Sequence, residues 1–211
     1  DEVKLTSAIM RLLEEDPSVQ FEHSHDTGDL VLWGQGEMHL RVALERLQNK
    51  FGVHAKTQPR RIGYLETIKK SVQLRGRHKK QSGGHGQYGD VVVEIKPLPR
   101  GSGFVFTDTI TGGVVPKQYI PAVEAGVREW MVQGPLGFAV VDFNVNLSEG
   151  SYHDVDSSEM AFKLAARLAM TEGMPQCAPT LLEPIVAVDI HVPSDATSRI
   201  NQIVTGHRGQ L

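Results

Sequence analysis

A chain of 211 residues with 40% hydrophobic and 22% charged side chains has room for one or two packed cores, which excludes a disordered polyelectrolyte. A formal net charge of −3 excludes a protein that coats nucleic acid through its overall charge, but it permits a local basic patch. Cys177 is the only cysteine, so neither a disulfide framework nor a thiolate zinc site can form within the chain.

No apolar run reaches the length of a membrane-spanning helix, and Asp1-Glu2-Val3-Lys4 does not open a signal peptide, so a reducing, cytoplasmic setting without membrane contact is expected. Leu5, Ala8, Ile9, Leu12 and Leu13 recur at helical spacing, and Pro17 stops that helix. Val19–Glu22 alternates like a half-buried strand, Asp26–Asp29 supplies a turn, and Leu30–Trp33 reads as the next strand. A helix follows from Glu37, with Leu40, Ala43, Leu44, Leu47 and Phe51 on one face and Gly52 as C-cap. Val53–Thr57 predicts a further strand. The order αββαβ is one strand short of the split βαββαβ sandwich, so the chain is expected to begin inside a domain.

From about Lys69 to Thr180 the pattern changes. Val91–Ile95 predicts a strand ending at Pro97 and Pro99, and Pro121 opens a helix carrying Val123, Val127 and Trp130 inward. Ala139, Val141, Phe143, Val145 and Leu147 alternate with polar residues, which predicts one strand with a single buried face. Asp156 and Glu159 stand at capping-box spacing, so a helix is expected from Asp156, with Ala161, Leu164, Ala165, Leu168 and Ala169 inward and Gly173 at its end. Beyond Pro179 and Pro184, Ile185–Val192 predicts a strand. A short helix capped by Ser194 or Asp195 carries Ile200, Ile203 and Val204. One strand and one helix cannot bury a core, so a third domain is expected to start here.

Several motifs are decoys. Gly84-His85-Gly86-Gln87-Tyr88-Gly89 spells G-x-G-x-x-G, but a dinucleotide site needs a strand before it and a helix after it, and here a charge run precedes and a strand follows. A kinase reading adds Val91, Val93–Lys96 and Asp142-Phe143-Asn144, yet the lysine comes too soon and no H-R-D loop precedes Asp142. Gly-Lys occurs nowhere, which removes the phosphate-binding P-loop. His153, Asp154 and Asp156 invite a hydrolase or metal reading, but no nucleophile or third ligand accompanies them.

What remains is a pair of polar loops. Gly83, Gly84 and Gly86 free the backbone for close approach, and His85, Gln87 and Tyr88 present donors, acceptors and an aromatic plane. The run Arg75-Gly76-Arg77-His78-Lys79-Lys80 draws in phosphates. Tyr152 and His153, mounted before the helix expected at Asp156, supply a second tip. The two loops are read as paired tips that touch RNA, with no catalytic residue and no metal ligand among them.

These residues resemble translation elongation factor G. The similarity is carried by Gln81–Gly89, Pro97–Phe104, Gly112–Lys117 and above all Gly150–Phe162, with Gly34–Leu40 resembling the family's third domain and Leu182–Ile185 the start of its fifth. The resemblance implies an α+β chain in three parts. These are a ferredoxin-like unit over residues 1–68 lacking its first strand, an elongated ribosomal tip domain over 69–180 with a left-handed βαβ crossover, and the beginning of a second ferredoxin-like unit over 181–211. It implies part of a ribosomal GTPase that moves tRNA and mRNA through the small subunit, monomeric as the full factor. The GTP and magnesium site would lie in a domain outside this fragment, which itself is expected to bind no cofactor and not to hydrolyse GTP. Gln87, His153 and Asp156 match tip positions that approach the codon–anticodon duplex, and His207 and Arg208 match a region facing large-subunit RNA. His207-Arg208-Gly209 stands where an Arg-Arg-Gly run is usual, the stretch Pro135–Phe138 is one residue short, and Ala139 replaces a proline. Gly34–Met38 also departs mildly from Gly-Met-Gly-Glu-Leu. These departures suggest a paralogue that translocates, recycles ribosomes or protects them from a tetracycline-type antibiotic.

Overall fold

Periodicity at helical spacing produces α1 (Glu2–Glu15) in the computed structural model, which describes residues 2–24, 27–81, 84 and 86–211. Ala8, Ile9 and Leu12 of α1 are buried, and the helix ends just before Pro17, whose ring disfavours a helical conformation at the residue before it. β1 (Gln20–His23) pairs antiparallel with β2 (Leu30–Trp33), placing Phe21 opposite Leu32. α2 (Glu37–Phe51) buries Ala43 and Leu47 and stops at Gly52, which takes the left-handed conformation at φ 65° and returns its N–H to the Gln48 carbonyl at 3.1 Å. Val19 and Val53 complete this small core.

The strand expected at Val53–Thr57 is not formed. Residues 52–64 have no regular structure, and past Val53 the side chains through Arg61 are exposed. A strand is held by a neighbour's ladder, and among the described residues nothing pairs with this segment. The observed order is therefore αββα.

A four-stranded sheet organises the middle of the chain, in the order β4 (Val72–Lys80), β5 (Gln87–Pro97), β8 (Phe143–Ser151), β6 (Phe104–Asp108). β4–β5 and β5–β8 are antiparallel, and β6–β8 is parallel, so the chain crosses from β6 to β8 through α3 (Ile120–Trp130). α3 and α4 (Glu159–Gly173) share a core with the sheet, built from Val91, Val93, Ile95, Val145 and Leu147 against Val123, Val127, Phe162 and Ala165. Pro121 sits in the first turn of α3, where its missing N–H costs nothing.

A second sheet, in the order β7 (Ala139–Val140), β3 (Leu65–Ile68), β9 (Pro179–Leu182), joins residues from both sides of the divisions expected at 68/69 and 180/181. Its central Glu66 is wholly buried, and Oε1 accepts the amides of Leu136 (2.9 Å) and Phe138 (2.7 Å). The carboxylate thereby fixes the loop that leads into β7.

Three expectations need correction here. The strand expected over Ala139–Leu147 divides between the two sheets. Asp142, at φ 59° and buried, accepts the Gly103 amide at 2.9 Å and turns the chain from β7 into β8. Val140 is consequently buried before the break, and only Phe143, Val145 and Leu147 follow the expected alternation.

α4 begins later than expected: its N-cap is Ser158, whose Oγ accepts the Ala161 amide at 3.2 Å. Its buried stripe is wider and rotated, taking in Phe162, Ala166 and Met170 while Leu168 is exposed, because the helix is covered by both the sheet and α3. Finally, the strand expected at Ile185–Val192 has no regular structure, and Ile185 is 98% exposed. A strand does form between the two prolines expected to interrupt the chain: Pro179–Leu182 pairs as β9. α5 (Thr197–Gly206) follows a 3-10 turn at Ser194–Ala196, with no side-chain cap from Ser194 or Asp195.

The closest packing in the middle unit is backbone on backbone. A Cβ on Gly89 would lie 2.4 Å from the Ala161 carbonyl oxygen, and one on Gly76 would lie 2.2 Å from that of Ala165. Neither carbonyl can swing away without breaking α4. Gly89→Ala should therefore cost about 2 kcal/mol and lower the thermal midpoint by roughly 5 °C. Gly36→Ser, at an extended N-cap with open space around it, should change stability by only a few tenths of a kcal/mol, about the difference between those two caps. Calorimetry of the two variants checks the contrast.

Candidate nucleic-acid interface

The β4–β5 ladder runs without interruption from Val72↔Ile95 to Lys80↔Gln87, a stiff ribbon that carries the glycine loop at its end. Gly83 and His85, two of the expected contact residues, lie outside the described residues. Gly84 adopts φ 125°, a conformation that favours glycine. Across from the ribbon, residues 152–158 connect β8 to α4.

Asp156 joins the two loops. Its Oδ1 accepts the Gly86 amide at 3.0 Å, and its carbonyl accepts the Tyr88 amide at 2.8 Å. A Cβ on Gly86 would stand 2.8 Å from the Asp156 carboxylate, so a larger residue there would have to push that carboxylate aside. The neighbouring Ser157 adds a third link, donating from Oγ to the Tyr88 carbonyl at 2.9 Å. Asp156 is thus the staple between loops and leaves the capping of α4 to Ser158.

His153 is held by its own loop. Nδ1 accepts the amides of Val155 (3.3 Å) and Asp156 (3.2 Å), which leaves Nε2–H as the donor of the neutral ring. The side chain is 56% exposed. The Asp156 Oδ2 lies 3.5 Å from Nδ1, but with Nδ1 acting as acceptor the two share no proton, and the pair does not form the oriented dyad a hydrolase needs. Among the described residues no three His, Cys, Asp or Glu side chains gather to hold a metal.

Gln87 Oε1 accepts from His78 Nε2 at 2.9 Å, so its amide nitrogen is left to face other partners. The Tyr88 ring is tilted 55° against His153 at a centroid distance of 6.3 Å, with the Arg77 guanidinium 5.4 Å above it. Tyr152 is exposed.

Within the basic run the four cations differ. Arg75 clamps Asp90 through Nε (2.7 Å) and Nη2 (2.5 Å), and that pairing raises its pKa further above the ordinary arginine range. Burial pushes the Asp90 carboxyl up, but hydrogen bonds from Arg75 and Ser151 and the charges of Arg75 and Arg77 outweigh it, so it stays below the usual aspartate value. Lys79 and Lys80 are exposed. His207 and Arg208 belong to a different segment, past α5, where Arg208 pairs with Glu183 at 2.9 Å.

Asp90, Ser151 and Ser157 hold the site together and were missed by sequence reasoning, while His78, read there only as part of the basic run, bonds to Gln87. The only signal of the missed residues is position: Asp90 is an acidic residue at the head of the apolar run Val91–Val93, and Ser157 lies next to the cap. The staple itself is testable. Asp156→Ala should speed hydrogen exchange at the Gly86 amide by about tenfold or more while leaving amides in the centre of β5 protected.

Comparison with known proteins places two family models along the chain. Residues 60–178 match the family model for Elongation factor G, domain IV, and residues 1–59 match that for Elongation Factor G, domain III. The Elongation factor G-like protein of Synechocystis sp. is 59% identical over 211 residues, covering 100% of this chain and 32% of the relative. A crystal structure from Thermus thermophilus is similar at a TM-score of 0.82 and 42% identity, covering 99% of this chain and 31% of that one. The chain thus spans about a third of the length of the relatives it matches. No helix among the described residues is long and apolar enough to cross a membrane. On these grounds the chain belongs to the elongation factor G family, of which it carries the stretch matching domains III and IV.

Proposed function

We propose that this chain is the RNA-contacting part of a translational GTPase that promotes tRNA–mRNA translocation, its paired loops entering the small-subunit decoding centre of the ribosome. GTP and magnesium would act in another domain of the full factor, and this part would work in the cytoplasm as a mechanical lever. The observation that carries the reading is the stapling of two polar loops by Asp156 at the end of a stiff hairpin.

The division of labour within the tip supports it. Lys79 and Lys80 supply a positive field for phosphates, while the Gln87 amide nitrogen and His153 Nε2–H are short-range donors on a fixed base. Recognition by shape and hydrogen bonding requires such preset donors, since single-stranded and looped RNA is read through base edges and stacking. His207 and Arg208 would meet large-subunit RNA from a separate segment.

Replacing His153 or Gln87 by Ala in the full-length factor should slow single-round translocation by about tenfold, the equivalent of one charge-neutral contact, and leave GTP hydrolysis unchanged. Translocation at the parental rate in both variants would sink the tip assignment.

A further inference from the structure

Directly beneath the loops, three strands meet at one carboxylate. Asp90 of β5 is wholly buried and stands opposite Ser151 of β8 in the ladder. Arg75 of β4 holds it from one side, and Ser151 Oγ donates to Oδ2 from the other at 2.6 Å. Ser151 Oγ also lies 2.7 Å from the Tyr88 hydroxyl.

The direction of this chain of hydrogen bonds follows from elementary counting. An ionised carboxylate only accepts, so the single hydroxyl proton of Ser151 goes to Asp90, and the Tyr88 hydroxyl then donates to Ser151 at 2.7 Å, with Asp90 Oδ2 a second, much longer acceptor at 3.5 Å. The order is Tyr88 to Ser151 to Asp90. The Tyr88 phenol is consequently committed inward. Its ring is pinned under Arg77 and against His153, and its backbone carries the links to Asp156 and Ser157.

We propose that Asp90 is a positioning residue for the tip: through Ser151 it fixes the ring of Tyr88, and through that ring the place at which His153 is presented to RNA. The inference rests on the translocation reading given above. It assigns Asp90 and Ser151 a part in that function although neither touches RNA, and it makes Tyr88 a support for His153.

The test uses the full-length factor, with single-round translocation and GTP hydrolysis measured side by side. Ser151→Ala and Tyr88→Phe should each slow translocation by about tenfold, and the double variant should be no slower than either, because the three groups act as one unit. Asp90→Asn should behave alike, with Ser151→Ala adding nothing on top of it. Ser151→Thr, which keeps the hydroxyl, should restore the parental rate. GTP hydrolysis should stay constant throughout. In the histidine-labelled 211-residue chain, the ring resonances of His153 should move in Ser151→Ala and in Tyr88→Phe and return in Ser151→Thr.

Additive losses, or a His153 resonance that does not move, would overturn the proposal. So would parental rates in Ser151→Ala and Tyr88→Phe alongside a slow His153→Ala, a result that discards the network and keeps the tip reading. A parental rate in His153→Ala alone discards the positioning role, and parental rates in both His153→Ala and Gln87→Ala discard the tip reading with it.

Discussion

The contact on which the middle unit depends is the approach of two backbones: Gly76 and Gly89 of the β4–β5 hairpin lie directly against the carbonyls of Ala165 and Ala161 in α4. Side chains normally keep a helix about 10 Å from a sheet, and small residues allow it closer. Here the helix brings alanines and the strands bring glycines. The consequence reaches the tip, because Gly89 meets the first turn of α4, immediately after the second loop. Hairpin and helix therefore move together, and the loops they carry keep a fixed separation. The Asp156 staple, the Ser157 link and the Tyr88–His153 ring contact are short-range interactions that this larger packing makes possible.

Charge is distributed along the hairpin in a graded way. At the root, Arg75 is neutralised by a buried carboxylate and serves the fold. Further out, Arg77 lies over the Tyr88 ring and stiffens it. At the end Lys79 and Lys80 stand in solvent, where screening at physiological salt limits their reach to about 8 Å. A basic run that reads as one uniform patch in the sequence thus divides into structural and field-generating cations. That division is consistent with a net charge of −3, since attraction is concentrated at one end of one ribbon.

Much of this architecture was legible where a segment's own pattern decides its structure. α1 and α2 follow from apolar spacing, with Gly52 ending the second helix in the left-handed conformation that glycine favours. β5 and the second half of the 139–147 segment follow from alternation. The errors share one cause: the outcome depended on a partner distant in sequence. Val53–Thr57 and Ile185–Val192 have strand-like composition, but composition does not form a ladder without a neighbour. Asp142 was read as the polar face of a strand because nothing local announces that the Gly103 amide will capture its carboxylate. Asp156 and Ser158 are both good caps by residue type. The choice between them was made by Gly86, seventy residues away. At the site, Gln87, Tyr88, His153 and Asp156 could be picked out, whereas Asp90 and Ser151 could not, since an acidic residue and a serine in adjacent strands carry no motif.

The same reasoning explains why the support of the tip is polar. An apolar plug beneath Tyr88 would hold its ring by packing alone, which leaves rotation about its axis and small sliding motions open. A carboxylate with a bidentate arginine and a serine hydroxyl imposes directions as well as distances, because each donor and acceptor has a preferred line. Burying Asp90 opposes its ionised form, and the hydrogen bonds and charges around it overcome that opposition only in this arrangement. A displaced strand would leave a buried charge short of partners, so departures from the register of β4, β5 and β8 are strongly resisted just below the loops. In the proposed function, a lever that would transmit displacement to RNA needs that resistance at its far end, where angular play at the base would become positional error at His153. The network sits at the level of the hairpin where such play is best suppressed.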